Sequence, residues 1–283
     1  FLRADDAVRF GGGAQNLHLA NPISADLNCM RPSLLPNLLS AAARNLNRGT
    51  QNIALFELGP IYLSPDETGQ RTSCALLRQG EAQTADWQQP ARLLDVFDIK
   101  QDLLSCLSVL GVSIDNLQVT RDAPDYMHPG RSASLRLGKE IVGMFGELHP
   151  QILADYDIKA PVIVCEFWLD NIPQPRSKGP AKPLLSLSPL QPVMRDFAFI
   201  VDADLPAIEL ASSVRRAVRD SVTDVRIFDV YQGQGIEDDK KSVALAVTLQ
   251  PQTASFTEAD LTEISDKIVA TVAKNCDGVL RGA

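Results

Sequence analysis

The sequence predicts an α+β protein in two parts, an antiparallel-sheet domain over residues 1–170 and a β-α-β-β-α-β domain over residues 193–283. Three observations predict it. Short apolar stretches of strand length alternate with stripes at helical spacing along the whole chain. Most strands of the first part are joined through hairpin-like turns, which favours antiparallel pairing. Between the two parts, Pro173, Pro175, Pro180, Pro183, Pro189 and Pro192 stand among Ser, Lys and Gly, the composition of a semi-rigid linker over residues 171–192.

Residues 1–20 show no clear period, and Gly11-Gly12-Gly13 reads as a flexible turn because no Lys-Ser/Thr follows it to hold a phosphate. Leu34, Leu35, Leu38, Leu39, Ala42, Ala43 and Leu46 form a stripe that predicts an amphipathic helix, closed by Asn47-Arg48-Gly49. Residues 53–58 are mostly apolar and predict a buried strand, in which Glu57 is either a polar strand end or a site residue. Residues 73–77 predict a further strand and 79–90 a polar loop holding Trp87. Leu103, Leu104, Leu107 and Leu110 predict a helix stopped by Gly111. Residues 126–132 predict a turn carrying His128 and Arg131. Strands at 133–137 and 141–145 form a hairpin through Gly138-Lys139-Glu140. A short helix at 151–156 and a strand at 162–169 complete this part.

In the second part the order is strand 195–201, helix 206–221, strand 225–231, a basic turn at Lys240-Lys241, strand 242–250, helix 257–274 and a short strand 279–281. That is the split βαβ arrangement of a ferredoxin-like fold, with two helices on one face of a four-stranded sheet. Asp204 before Pro206 marks one helix start, and Thr257 with Asp260 three residues on marks the other as a capping box. The stripes Ile208, Ala211, Val214, Val218 and Leu261, Ile264, Ile268, Val272 must face the sheet. In the third strand Val243, Leu245, Val247 and Leu249 share one face, and Ala244, Ala246 and Thr248 the other. The face without helices is therefore small and polar, and free for a partner.

Composition narrows the function. With 45% hydrophobic and 22% charged residues in 283, the chain is of ordinary soluble globular type, and no apolar run reaches the ~20 residues of a membrane span. A net charge of -8 argues against a generic nucleic-acid binder, and the part from Leu184 onward holds ten Lys+Arg against fifteen Asp+Glu. Nucleic-acid binding here has to be focused on a few positions. The five cysteines are scattered, without the paired spacing of a zinc site or a disulfide framework, which fits a reducing cytosol. The three histidines, His18, His128 and His149, have no partner at metal-ligand spacing, and a His before Pro is commonly a turn residue. Gly233-Gln234-Gly235 is a loop, not a dinucleotide fingerprint, and Glu237-Asp238-Asp239 is solvated charge. No catalytic constellation is present.

Taken together and in order, Asn21-Pro22-Ile23-Ser24, Met30-Arg31-Pro32-Ser33-Leu34-Leu35-Pro36, Phe56-Glu57-Leu58-Gly59, His128-Pro129-Gly130-Arg131-Ser132 and Gly146-Glu147-Leu148-His149-Pro150 resemble the bacterial phenylalanyl-tRNA synthetase β-subunit family. Arg195-Asp196, Phe228-Asp229-Val230-Tyr231, Lys240-Lys241-Ser242 and Leu280-Arg281 resemble the ferredoxin-fold anticodon-binding domain of that subunit. The resemblance implies a cytoplasmic heterotetramer of two α and two β subunits that joins phenylalanine to its tRNA with ATP and magnesium. It implies that the first part is a class II synthetase-like core that is catalytically inert and packs on the α subunit, and that this piece itself binds neither ATP nor Mg2+. The residues agree with inertness, since class II chemistry meets phosphate charge with fixed arginines, and neither 53–59 nor 162–171 carries one. The chain starts at Phe1 without a Met and reads as a C-terminal piece of a longer subunit, the family's editing and other upstream domains lying outside it. One departure concerns the second domain: where the family has Arg-Thr-Leu-Thr, this chain has Ala254-Ser255-Phe256-Thr257.

For recognition of a single-stranded anticodon loop, the expected physics is base stacking on exposed rings with a few cations on phosphates. The candidates are Arg195, Arg226, Phe228, Tyr231, Lys240, Lys241 and Arg281. Each has a blander role open to it: Phe228 in the core, Arg195 paired with a neighbouring acid, the lysines solvated. Two other functions stay open on the residues, a ferredoxin-fold regulatory module for a small ligand and a first domain that retains adenylating activity.

Overall fold

The computed structural model describes residues 1–173, 184 and 187–282. The chain divides into two compact units, Phe1–Gly179 and Pro180–Ala283. The middle of the proline-rich linker, residues 174–183 and 185–186, lies outside the described residues. Among the described residues no helix is long and apolar enough to cross a membrane.

The first unit contains α1 (Ala4–Arg9), α2 (Leu35–Leu46), β1 (Ile53–Tyr62), β2 (Gln70–Gln79), β3 (Glu81–Gln83), β4 (Arg92–Leu93), α3 (Val96–Val109), β5 (Leu117–Thr120), β6 (Met127–Leu137), β7 (Glu140–Leu148), α4 (Pro150–Asp155) and β8 (Ile163–Trp168). Its main sheet has six strands in the order β1-β2-β8-β7-β6-β5, with every neighbouring pair antiparallel. The predicted helix at 34–46 forms because Leu35, Leu38, Leu39 and Ala42 fall on one buried face, each leucine contributing roughly 1.5–3 kcal/mol of burial. That face joins Ile53, Ile61, Ala75, Leu77, Met144 and Val164 in one core on one side of the sheet. On the other side Ile99, Leu103 and Leu107 of α3 pack on Leu135, Phe145, Cys165 and Phe167. Asp95 caps α3 in a capping box with Asp98, which starts the helix at Val96, before the leucine stripe makes it visible.

Four expectations are corrected here. Residues 4–9 are helical, because six residues make less than two turns and leave no period to read. The strand beginning at Ile53 is ten residues long and lies at the edge of the sheet, with Ile53 and Ile61 in the core but Phe56 76% and Leu58 60% exposed, so only one of its faces is buried. Residues 128–132 belong to β6, where the register breaks between Met127 and Ser132, so the turn chemistry of His-Pro-Gly is spent inside a strand as an outward excursion. Within the loop at 79–90 the short β3 forms and pairs with β4.

The second unit contains β9 (Val193–Asp202), α5 (Ala207–Ala217), β10 (Val222–Tyr231), β11 (Lys240–Leu249), α6 (Glu258–Cys276) and β12 (Val279–Leu280), in the sheet order β10-β11-β9-β12. Phe197, Phe199, Val243, Leu245, Val247 and Leu249 pack under Leu210, Ala211, Val214, Ile264, Ile268 and Val272 of the two helices. Thr257 and Asp260 cap α6 reciprocally, as their spacing predicts. Asp204 does not cap α5, whose N-cap is Pro206 with no side-chain bond. Ile208 is exposed and Leu210 takes its place in the core. Lys240 and Lys241 lie in the first turn-free residues of β11 rather than in a turn, paired with Asp202 and Val201 of β9.

Candidate nucleic-acid interface

In an antiparallel sheet, residues directly opposite each other share a face. Val247, Leu245 and Val243 lie under the helices, so Ser242, Ala244, Ala246 and Thr248 line the open face of β11. Their β9 partners are Ile200, Ala198, Asp196 and Met194. The floor of this face is thus three alanines and a serine, low enough for flat groups to approach the backbone.

The walls come from the edge strands. In β10 the register slips between Ile227 and Asp229, and Phe228 is the extra residue. Strict alternation from buried Val225 through Ile227 would turn Asp229 and Tyr231 toward the helices. The bulge reverses the phase, so Asp229 lies opposite Ala244 and Tyr231 opposite Ser242, both on the open face. At the other edge, the Arg281 N–H bonds the Ala198 carbonyl at 2.7 Å, extending β12 by one residue. The Arg281 guanidinium then reaches across the sheet, lying 5.7 Å from the centre of the Tyr231 ring and donating to Ser242 Oγ at 3.3 Å.

The seven candidates are therefore not equivalent. Tyr231 and Arg281 meet. Arg226 shares their face, opposite Ala246. Lys240 is on that face too, but is ion-paired with Asp202, whose carboxylate holds the Lys240 ammonium above the ordinary lysine range. Lys241 and Arg195 lie opposite Val201 and Val247, on the helix-covered side, and Lys241 donates to the Ala203 carbonyl at 2.7 Å. Phe228, at its bulge, is half exposed rather than core. Beside these, Asp196, Asp224 and Asp229 stand on the open face, so the surface offers rings and base-edge partners more than phosphate neutralisation.

Sequence reasoning placed Ala244, Ala246 and Thr248 on the free face but did not name Ser242 or Asp229 as site residues, since the face of Asp229 depends on the bulge at Phe228. In the first unit it also missed Glu166, although a lone carboxylate in Ile163-Val164-Cys165-Glu166-Phe167 is a legible anomaly. Glu166 is 1% exposed and accepts from Ser33 Oγ at 2.6 Å, Ser73 Oγ at 2.8 Å and the Leu34 N–H at 3.0 Å. Burial pushes its carboxyl above the usual range against these donors. Arg31 forms a second tie, bonding Glu57 at 2.5 Å and the Pro60 carbonyl at 2.9 Å while lying against Gly59, where a Cβ would sit 2.6 Å from the guanidinium. The histidines are likewise internal: His128 Nδ1 accepts from the Gly130 N–H, and His149 caps α4 by accepting from the Gln151 N–H. Among the described residues no group of three or more His, Cys, Asp or Glu could hold a metal ion.

The family model for the phenylalanyl tRNA synthetase beta chain CLM domain matches residues 1–169, and that for the ferredoxin-fold anticodon binding domain matches residues 188–281. The phenylalanine–tRNA ligase beta subunit of Paramagnetospirillum magneticum is 47% identical over 283 residues, covering 100% of this chain and 36% of the relative. That of Rhodospirillum rubrum is 45% identical, covering 99% of this chain and 35% of the relative. The chain thus spans about a third of the length of the curated relatives it matches. A solved pyrrolysyl tRNA synthetase from Desulfitobacterium hafniense is similar at a TM-score of 0.40 and 17% identity, over 54% of this chain and 51% of that one, a likeness too weak to carry an argument. The chain belongs to the phenylalanyl tRNA synthetase beta chain family, and its second unit is a ferredoxin-fold anticodon binding domain.

Proposed function

We propose that this chain is part of the β subunit of a cytoplasmic phenylalanine–tRNA ligase, and that the open face of its second unit holds the anticodon loop of the phenylalanine tRNA. The observation that carries this reading is the Tyr231–Arg281–Ser242 cluster above an alanine floor on a sheet face that the helices leave free. A base stacks on the Tyr231 ring, Arg281 and Arg226 supply the positive charge, Asp229 presents acceptors to base edges, and Ser242, buried beneath, holds the Arg281 guanidinium.

The first unit is proposed as an inert, class II synthetase-like docking unit for the α subunit, where ATP and Mg2+ are used. What supports inertness is that both faces of its six-stranded sheet are occupied by packed side chains, and that Arg78 and Arg136 are tied to Asp102 and Asp122. What supports docking is the apolar edge at Phe56 and Leu58.

The test is a titration of the intact chain with phenylalanine tRNA and a non-cognate tRNA at several salt concentrations. Tyr231→Ala is expected to weaken cognate binding about five- to 150-fold, the range of one lost base stack. The salt slope is expected to be shallow, at most about -1.4 for two phosphate contacts on a single strand. Equal, weak binding of both tRNAs with no effect of Tyr231→Ala would instead favour a regulatory module for a small ligand.

A further inference from the structure

The loop after β10, Gly233-Gln234-Gly235, is not used by the reading above, yet it touches the ring on which that reading depends. Tyr231 Oη donates to the Gln234 carbonyl at 3.2 Å, so the loop folds back over the end of its own tyrosine. Gly233 is where the two meet. Its φ is +148°, and a Cβ there would sit 3.0 Å from Tyr231 Oη and 3.3 Å from Cζ. A side chain would strain the backbone and crowd the tip of the ring. Gly235, two residues on, also has a positive φ of +88°, but nothing lies within 4 Å of its missing Cβ. The first glycine is required by its backbone and by the ring, the second by the turn alone.

We infer that Gly233 is a positioning residue for RNA recognition: it lets the 232–235 loop clasp Tyr231 from its hydroxyl end while Arg281 holds it from across the sheet, fixing the ring before a base arrives. The inference rests on the proposal that Tyr231 stacks on RNA. An exposed aromatic ring on an edge strand has rotamer freedom that binding must remove, and holding it in place beforehand lowers that cost. Both holding contacts are within this unit: the loop takes the hydroxyl, and the Arg281 guanidinium lies over one face of the ring, so a base has the opposite face to stack on. The bulge at Phe228 turns Tyr231 onto the open face, and the loop then fixes its orientation there.

The experiment is a double-mutant cycle in the intact chain, read as the Kd for phenylalanine tRNA. Gly233→Ala is expected to raise Kd by at least about threefold, and to change it less than about twofold in a Tyr231→Ala background, since the two act through one contact. Gly235→Ala strains the same loop through its own φ of +88° without placing a Cβ near the ring, and is expected to raise Kd less than Gly233→Ala does. An equal loss from both glycines, or an undiminished Gly233→Ala effect without the tyrosine, would overturn the inference in favour of a general loop defect. A second measurement separates it from the stacking proposal. In the free chain the Gly233 Hα resonances should carry a ring-current shift that Tyr231→Ala abolishes. Without that shift the clasp is wrong whatever the RNA does; with the shift, but with no effect of Tyr231→Ala on Kd, the clasp stands as geometry, and both the stacking proposal and the role of Gly233 in RNA recognition fail.

Discussion

The two sheets of this chain solve the same problem in opposite ways. The six-stranded sheet has α2 against one face and α3 against the other, so its polar groups inside become internal ties, as Glu166 does for Ser33, Ser73 and Leu34. The four-stranded sheet has α5 and α6 against a single face, and on the other face the polar groups of Tyr231, Arg281 and Ser242 gather at the surface. A sheet buried on both sides is a scaffold; a sheet buried on one side has a surface to offer. The difference predicts where a substitution is felt, as stability on covered faces and as binding on the open one.

The largest test of that division is Phe199→Ala, under both helices and fully buried, which is expected to cost about 3–5 kcal/mol in denaturant unfolding. Tyr231→Ala, on the other face of the same sheet, should stay within about 0.5 kcal/mol. Comparable losses would mean that the open face is part of the core. Next comes Glu166→Ala in the first unit, which leaves buried donors without an acceptor and is expected to cost about 2–3 kcal/mol. Glu166→Gln keeps one acceptor oxygen and should lose less, measured in the same unfolding series.

Much of this division is legible in the sequence because it rests on periodicity. The alternation of residues 243–249 names the covered face of β11, and the Thr257–Asp260 pair names the start of α6. The decisive step for the site is not legible. Tyr231 stands on the open face only because Phe228 is an extra residue in β10, and a one-residue bulge changes the phase without changing the composition. Arg195 and Lys241 fail as partners of Tyr231 for the same reason: charge is visible in a sequence, but the face that it occupies is set by register. In the first unit, Phe56 and Leu58 read as core because burial is inferred from hydrophobicity, and hydrophobicity does not reveal that a strand is at an edge.

A smaller effect follows from the ties at the surface of the scaffold. The Arg92 guanidinium holds the Asp98 carboxyl at about 2, and Asp98 also closes the capping box of α3. An acid whose pKa is depressed by folding contributes stability above its unfolded value of about 4 and loses it as pH falls through the folded value. Unfolding of the first unit should therefore become easier between about pH 4 and pH 2. Arg92→Ala should flatten that dependence, read by acid titration of helical circular dichroism, and an unchanged profile would assign the acid sensitivity elsewhere. Arg92 is half exposed, so solvent screening keeps the effect modest.

The smallest expected effect on stability belongs to the double substitution Phe56→Ser with Leu58→Ser. Both side chains lie on the outward part of β1, at the end of the six-stranded sheet, where α3 no longer covers the face. Replacing them removes little buried area, so unfolding should shift by no more than about 0.5 kcal/mol. The consequence should appear in assembly instead. An exposed apolar edge has a reason when a partner covers it, and co-expression with the α subunit followed by size-exclusion chromatography should show loss of the complex by the folded variant. Retention of the complex would leave the edge without a partner. The scaffold would then have to meet the α subunit through another surface, and the contrast between a sheet that binds and a sheet that only supports would be sharper than proposed.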